Sequence, residues 1–97
     1  MNIYLNLKKN FKEYLVGKEP LFGGARYRFR FENNYGASVI KNFGSYGSEE
    51  DLWELALIRW SDHDWDIVYD NPVVSGGILG YLSDEDVLEV LEEIKEL

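Results

Sequence analysis

Asp62-His63-Asp64 and Asp66 set three carboxylates at alternate positions around the chain's one imidazole, and these are side-chain types that ligate divalent cations. An EF-hand loop starting at Asp62 needs glycine at its sixth position and glutamate at its twelfth, and Ile67 and Val73 stand there instead. The segment therefore reads as an acidic hairpin turn with Asp66 on the solvent side of a strand; a weak, adventitious cation site is the alternative. No metal and no cofactor is expected.

Arg26, Arg28 and Arg30 alternate with Tyr27, Phe29 and Phe31. Arginines neutralise phosphates and exposed aromatic rings stack on bases, so the stripe has the composition of a nucleic-acid contact. Alternation on one strand sends the two sets to opposite faces, which sets the stacking rings apart from the gripping arginines. The reading preferred here is structural: the arginines pair with acids such as Glu54 on a neighbouring strand, and no direct DNA binding is expected.

Carboxylates are the third pattern. Residues 1–47 hold eight Lys/Arg against three Asp/Glu, a net of +5, whereas residues 48–97 hold two against fifteen, a net of −13. Such inequality predicts a polarised surface if the fold keeps the halves on separate faces. Rows of carboxylates on a helix and on turns can stand in for DNA phosphates and enter the basic groove of a nucleic-acid enzyme. The candidate surface comprises Glu49, Glu50, Asp51, Asp62, Asp64, Asp66, Glu89, Glu92, Glu93 and Glu96. The plainer alternative is that these acids keep a small domain soluble.

Other chemistries lack their residues. The histidine has no serine or cysteine in a nucleophile motif, no G-x-S-x-G occurs, and the glycines form no phosphate-binding fingerprint, so the chain is not expected to be an enzyme. Without cysteine there is no disulfide framework and no thiolate metal site. The N-terminal residues form neither a signal peptide nor a membrane span, so a cytoplasmic location without membrane partners is expected.

These groups need elements to position them. Ile3, Leu7, Phe11, Tyr14 and Leu15 recur at three- and four-residue steps, which predicts an amphipathic helix over residues 3–16, followed by a Gly/Pro linker over 17–24. Period-two patterns predict strands from Ala25 and from Tyr35 to Phe43 joined by Asn33-Asn34, and a second hairpin from Leu52–Trp60 through Ser61–Asp64 into Trp65, Ile67 and Tyr69. Ser83 caps a last helix whose apolar face is Val87, Leu88, Leu91, Ile94 and Leu97. The order α-β-β-β-β-α predicts one α+β domain over residues 1–97: a four-stranded antiparallel meander flanked by an N-terminal and a C-terminal helix.

Phe31–Val39, Asp51–Ala56 and the stretch from Tyr69-Asp70-Asn71-Pro72 to Gly80-Tyr81-Leu82-Ser83 together resemble small proteins of phages and prophages of Gram-positive bacteria. The resemblance spans residues 25–97 and its motifs are turns and core positions. Small acidic phage proteins of this type are similar in size and charge to anti-CRISPR and anti-restriction inhibitors. The resemblance implies a protein of the host-cell cytoplasm that inhibits a nucleic-acid-handling defence enzyme by DNA mimicry, its partner being the enzyme's basic groove. Two alternatives stand beside it: a structural or self-associating module such as a homodimer, and a nucleic-acid binder working through the arginine strand.

Overall fold

The computed structural model describes the backbone of residues 1–97 and all side chains except those of Lys9 and Asn10. The elements run α1 (Lys9–Lys12), β1 (Leu15–Leu21), β2 (Gly24–Arg30), β3 (Tyr35–Lys41), β4 (Trp53–Ser61), β5 (Asp64–Ile67), β6 (Ile78–Leu82) and α2 (Asp84–Lys95), with 3-10 turns at Ser48–Glu50 and Pro72–Val74. The architecture is α+β: an antiparallel six-stranded sheet and one substantial helix.

The sheet order is β1-β2-β3-β4-β5, and β6 also pairs with β4. Nine-residue β4 is long enough to serve two partners end to end on the edge away from β3. Ile58–Ser61 pair with β5, and the half from Trp53 to Ala56 pairs with β6. The chain between them folds over the core edge, where Val74 is fully buried.

The predicted four-stranded meander is therefore corrected to six strands. Its four members are β2 to β5, and the two added strands lie in stretches whose composition argued against them. Gly17 and Pro20 belong to β1, an edge strand bonded only to β2, and an edge strand tolerates a residue without an N–H. Strand β6 contains Gly80 and is only five residues long. It forms because β5 stops at Ile67 and leaves half of β4's edge unpaired.

The predicted N-terminal helix over residues 3–16 is reduced to the single turn of α1. Residues 1–8 form no helix or strand, the Leu7 N–H closes a tight turn on the Leu5 carbonyl at 2.9 Å, and Leu5 and Leu7 are buried while Tyr4 and Asn6 are exposed. Long-range bonds replace the helical ladder. The Tyr27 hydroxyl accepts from the Leu5 N–H at 3.0 Å and donates to the Ile3 carbonyl at 2.9 Å, and the Asn2 N–H reaches the Asp51 carboxylate at 2.7 Å. An isolated helix of that length is marginal in water, so tertiary partners decide the conformation.

The main core lies between one sheet face and α2 together with the N-terminal segment. Tyr27, Phe29 and Phe31, Ala37 and Val39, and Trp53, Leu55 and Leu57 meet Leu5, Leu7, Phe11, Val87, Leu91 and Ile94. Full burial of Val87, Leu91 and Ile94 contributes roughly 1.5–3 kcal/mol each and docks the helix. The capping box starts it: the Ser83 hydroxyl accepts from the Asp86 N–H, and the Asp86 carboxylate accepts from the Ser83 N–H. Trp53 adds a polar tie, donating its indole N–H to Asp84 at 2.7 Å.

The opposite face of the sheet holds a second, smaller cluster of Ala56, Ile58, Trp60, Trp65 and Ile67. Gly36 makes it possible. A Cβ at this position would lie 1.9 Å from the Phe29 carbonyl oxygen and 2.8 Å from the Trp60 indole nitrogen. With no Cβ there, the Trp60 indole crosses β3 and donates to that carbonyl at 2.9 Å.

Candidate functional site

On this second face Arg26, Arg28 and Arg30 point away from the main core, as their alternation requires, and the sheet brings tryptophans to them. Arg26 lies 5.6 Å from the Trp65 ring centroid, while Arg28 and Arg30 lie 5.9 and 5.6 Å from that of Trp60. The expected separation of arginines from aromatic rings is thus corrected. It holds within β2, but β4 and β5 supply rings to the same face.

The acid that meets the arginines is Glu19 on β1. Arg26 Nε donates to Glu19 Oε1 at 2.6 Å, and Arg28 forks onto both oxygens at 2.9 and 3.1 Å. Glu54, the expected partner, instead accepts from the Tyr46 N–H at 3.0 Å. The difference is one of register: Glu19 sits directly opposite Arg26, whereas Glu54 opposes Ile40. Arg30 donates to the Asp62 carbonyl and to the Asn34 amide oxygen. Partial burial pushes the Glu19 carboxyl up, but the hydrogen bonds and charges of Arg26 and Arg28 outweigh it and hold the group below its ordinary value. Glu19 thereby offsets one of the three arginine charges, and hydrogen bonds tie all three guanidiniums down within the molecule.

The ten acids proposed from the sequence fall into separate places. Asp62, Asp64 and Asp66 are exposed on the β4–β5 hairpin, where Asp62 takes φ 54° in a two-residue turn and Asp66 stands opposite Arg59. No group of three potential metal ligands occurs among the described residues. Asp51 is engaged: the Asn2 N–H and Lys41 Nζ, the latter at 3.2 Å, hold its carboxyl below the ordinary range. Lys41 itself is buried and lies 4.3 Å from the Trp53 ring centroid.

Glu49 and Glu50 line a cleft of about 410 Å³ between the β3–β4 loop and β6, together with the rings of Phe43, Tyr46 and Tyr81. The sequence pattern did not single out these rings. The available signal was Tyr46, a large aromatic in a Gly/Ser-rich loop with no strand or helix face to occupy, whereas Phe43 ends the predicted strand and Tyr81 lies in β6.

Glu89, Glu92, Glu93 and Glu96 are exposed on α2. Among the described residues none of them forms an ion pair or a side-chain hydrogen bond, and Lys95 instead lies 5.4 Å from the Tyr14 ring centroid. With Glu85 they make a stripe at four- and three-residue steps, Glu85, Glu89, Glu92 and Glu96, flanked by Glu93. Neighbours at these steps have Cβ atoms about 5–6 Å apart. Helix α2 packs on the face that carries Tyr27 and Phe29, so these acids and the β2 arginines occupy opposite sides of the sheet.

No helix among the described residues is long and apolar enough to cross a membrane. No family model, no curated protein and no solved structure matches the chain.

Proposed function

We propose that this protein works by binding, presenting the acidic stripe of α2 to the basic groove of a nucleic-acid-handling enzyme and keeping nucleic acid out. In mode of action it would stand with the anti-CRISPR and anti-restriction inhibitors of phages, as a DNA mimic acting in the host cytoplasm.

One observation supports the reading most: the acids of α2 stand where they oppose the helix. Glu92, Glu93 and Glu96 crowd the negative end of the helix dipole, and the pairs Glu85–Glu89, Glu89–Glu93 and Glu92–Glu96 set like charges one turn apart. Each placement costs a few tenths of a kcal/mol, and solubility alone does not require charge at those positions. A carboxylate row that no cation among the described residues pairs, although Lys8 lines the groove beside Glu85, Glu89 and Glu92, remains available to a cationic partner, which would be steered by long-range attraction.

The test is affinity capture from a bacterial lysate with the wild-type chain and with E89Q/E92Q/E93Q/E96Q, repeated with duplex DNA as competitor. The expected result is a basic nucleic-acid enzyme that wild type retains, that DNA displaces and that salt of about 0.5 M releases. The quadruple variant should retain at least about tenfold less. Equal capture by both chains would exclude α2 as the mimic surface. Binding of DNA by the chain itself, abolished by replacing Arg26, Arg28 and Arg30, would favour the nucleic-acid-binding alternative, and recovery of the bait alone as a defined oligomer would favour self-association.

A further inference from the structure

The cleft between the β3–β4 loop and β6 is a built feature. Tyr81 takes φ 60°, a left-handed conformation that a bulky residue seldom adopts, and its N–H is held on the Tyr46 carbonyl at 3.3 Å. Gly80 lets the two segments close: a Cβ there would lie 2.6 Å from the Tyr46 Cβ. The strained backbone turns the Tyr81 ring outward beside Tyr46 and Phe43, which are 59%, 64% and 80% exposed respectively. Glu49 and Glu50 complete the wall, and no basic residue among the described residues lines the cleft.

Rings joined to carboxylates form a complement for an organic cation. Elsewhere in the molecule the same pairing is already filled. All four arginines of the chain lie within 6 Å of a tryptophan or tyrosine ring centroid, and Arg26 and Arg28 are also bound to Glu19. The cleft repeats that chemistry without an arginine of its own.

We propose that this cleft is a binding site for an arginine side chain presented by another protein. The planar guanidinium stacks on a tyrosine or phenylalanine face while its fork donates to Glu49 and Glu50, a geometry that a lysine ammonium does not reproduce. The site stands apart from the α2 stripe and does not depend on the reading of that stripe: the stripe offers long-range attraction, and the cleft offers a short-range anchor of the kind that dominates interface energetics.

The experiment is an amide NMR titration of the full chain with the peptide acetyl-Gly-Gly-Arg-Gly-Gly-amide, alongside the same peptide bearing citrulline or lysine. The arginine peptide should shift the amides of Tyr46, Gly47, Glu49, Glu50 and Tyr81 saturably, with a dissociation constant on the order of 1 mM. Citrulline, which keeps the shape and loses the charge, should give no saturable shift, and lysine should bind at least about threefold more weakly than arginine. The variant E49Q/E50Q, changed only at exposed side chains, should bind the arginine peptide about tenfold more weakly, and Y46A about threefold more weakly. Equal binding by the citrulline peptide, unchanged binding by E49Q/E50Q, or no saturable shift with arginine would overturn the site. Loss of binding in E89Q/E92Q/E93Q/E96Q with retention in E49Q/E50Q would also overturn it, and would leave the proposal for α2 intact.

Discussion

The arginines of β2 and the glutamates of α2 lie on opposite sides of one sheet, and they differ in what surrounds them. Around the arginines stand Glu19, Trp60, Trp65 and the Asp62 carbonyl, each within hydrogen-bonding or stacking distance. Glu89, Glu92, Glu93 and Glu96 are exposed, and although Lys8 lines the same groove as Glu89 and Glu92, no cation among the described residues forms an ion pair with them. The arginine face has internal partners that fix its geometry, while the helix face keeps its potential for something outside. Counting charge does not separate these cases. Local partners do: Glu19, at 2.6–3.1 Å, offsets one of the charges of Arg26 and Arg28 and fixes both guanidiniums, so less of their field is left to attract a ligand.

The strongest way to break the contrast is to dismantle the arginine face from beneath. Gly36→Ala should lower unfolding free energy by about 3 kcal/mol in urea denaturation, because the added methyl displaces the Trp60 indole from the Phe29 carbonyl. Trp60 fluorescence should change with it. Glu19→Gln should cost about 2 kcal/mol by loosening Arg26 and Arg28, and it should raise retention on a polyanion column as those charges become available. Unchanged retention would mean that the tryptophans alone restrain the arginines.

The other side should respond with the opposite sign. E92Q/E93Q/E96Q should stabilise the protein by about 1 kcal/mol, seen as a raised melting temperature, since the changes remove repulsion at the negative end of the α2 dipole. Stability rising while partner capture falls is what distinguishes an interaction surface from a structural one. The smallest effect sharpens the contrast through pH. The folded-state pKa of Glu19 is depressed, so its stabilising contribution is fully present above its ordinary value of 4.5 and is lost as pH falls through the lower folded value. The urea midpoints of wild type and E19Q should therefore differ most above pH 4.5 and converge in more acidic buffer.

Much of the fold was legible in the chain. The strands β2 to β5, the Asn33-Asn34 and Asp62-His63 turns and the Ser83 cap of α2 follow from period-two alternation, turn residues and capping, which are local signals. The strands that escaped, β1 and β6, carry Pro20, Gly17 and Gly80 and depend on edges left open by other strands. The N-terminal stripe misled because Leu7 and Phe11 fit a helical period, while Leu5 and Leu7 equally fit an extended one, and the Tyr27 hydroxyl chose between them. For the candidate sites, the exposure of the α2 acids was readable from the helix period. The cleft was not, since Phe43, Tyr46, Glu49, Glu50 and Tyr81 are gathered from two separate segments.

The sequence by itself determined the sign of the charge on each half, the absence of cysteine, and which residues of each periodic segment share a face, because these depend on composition and on repeats of 2 and 3.6 residues. Tertiary structure alone decided which charges are met and which are left open. Register placed Glu19 rather than Glu54 against the arginines, the split edge of β4 created β6, and the closure of Gly80 on Tyr46 shaped the aromatic cleft. The physical reason is that an ion pair or a ring stack depends on distance between atoms. Distances across a sheet are set by pairing and packing among residues far apart in the chain.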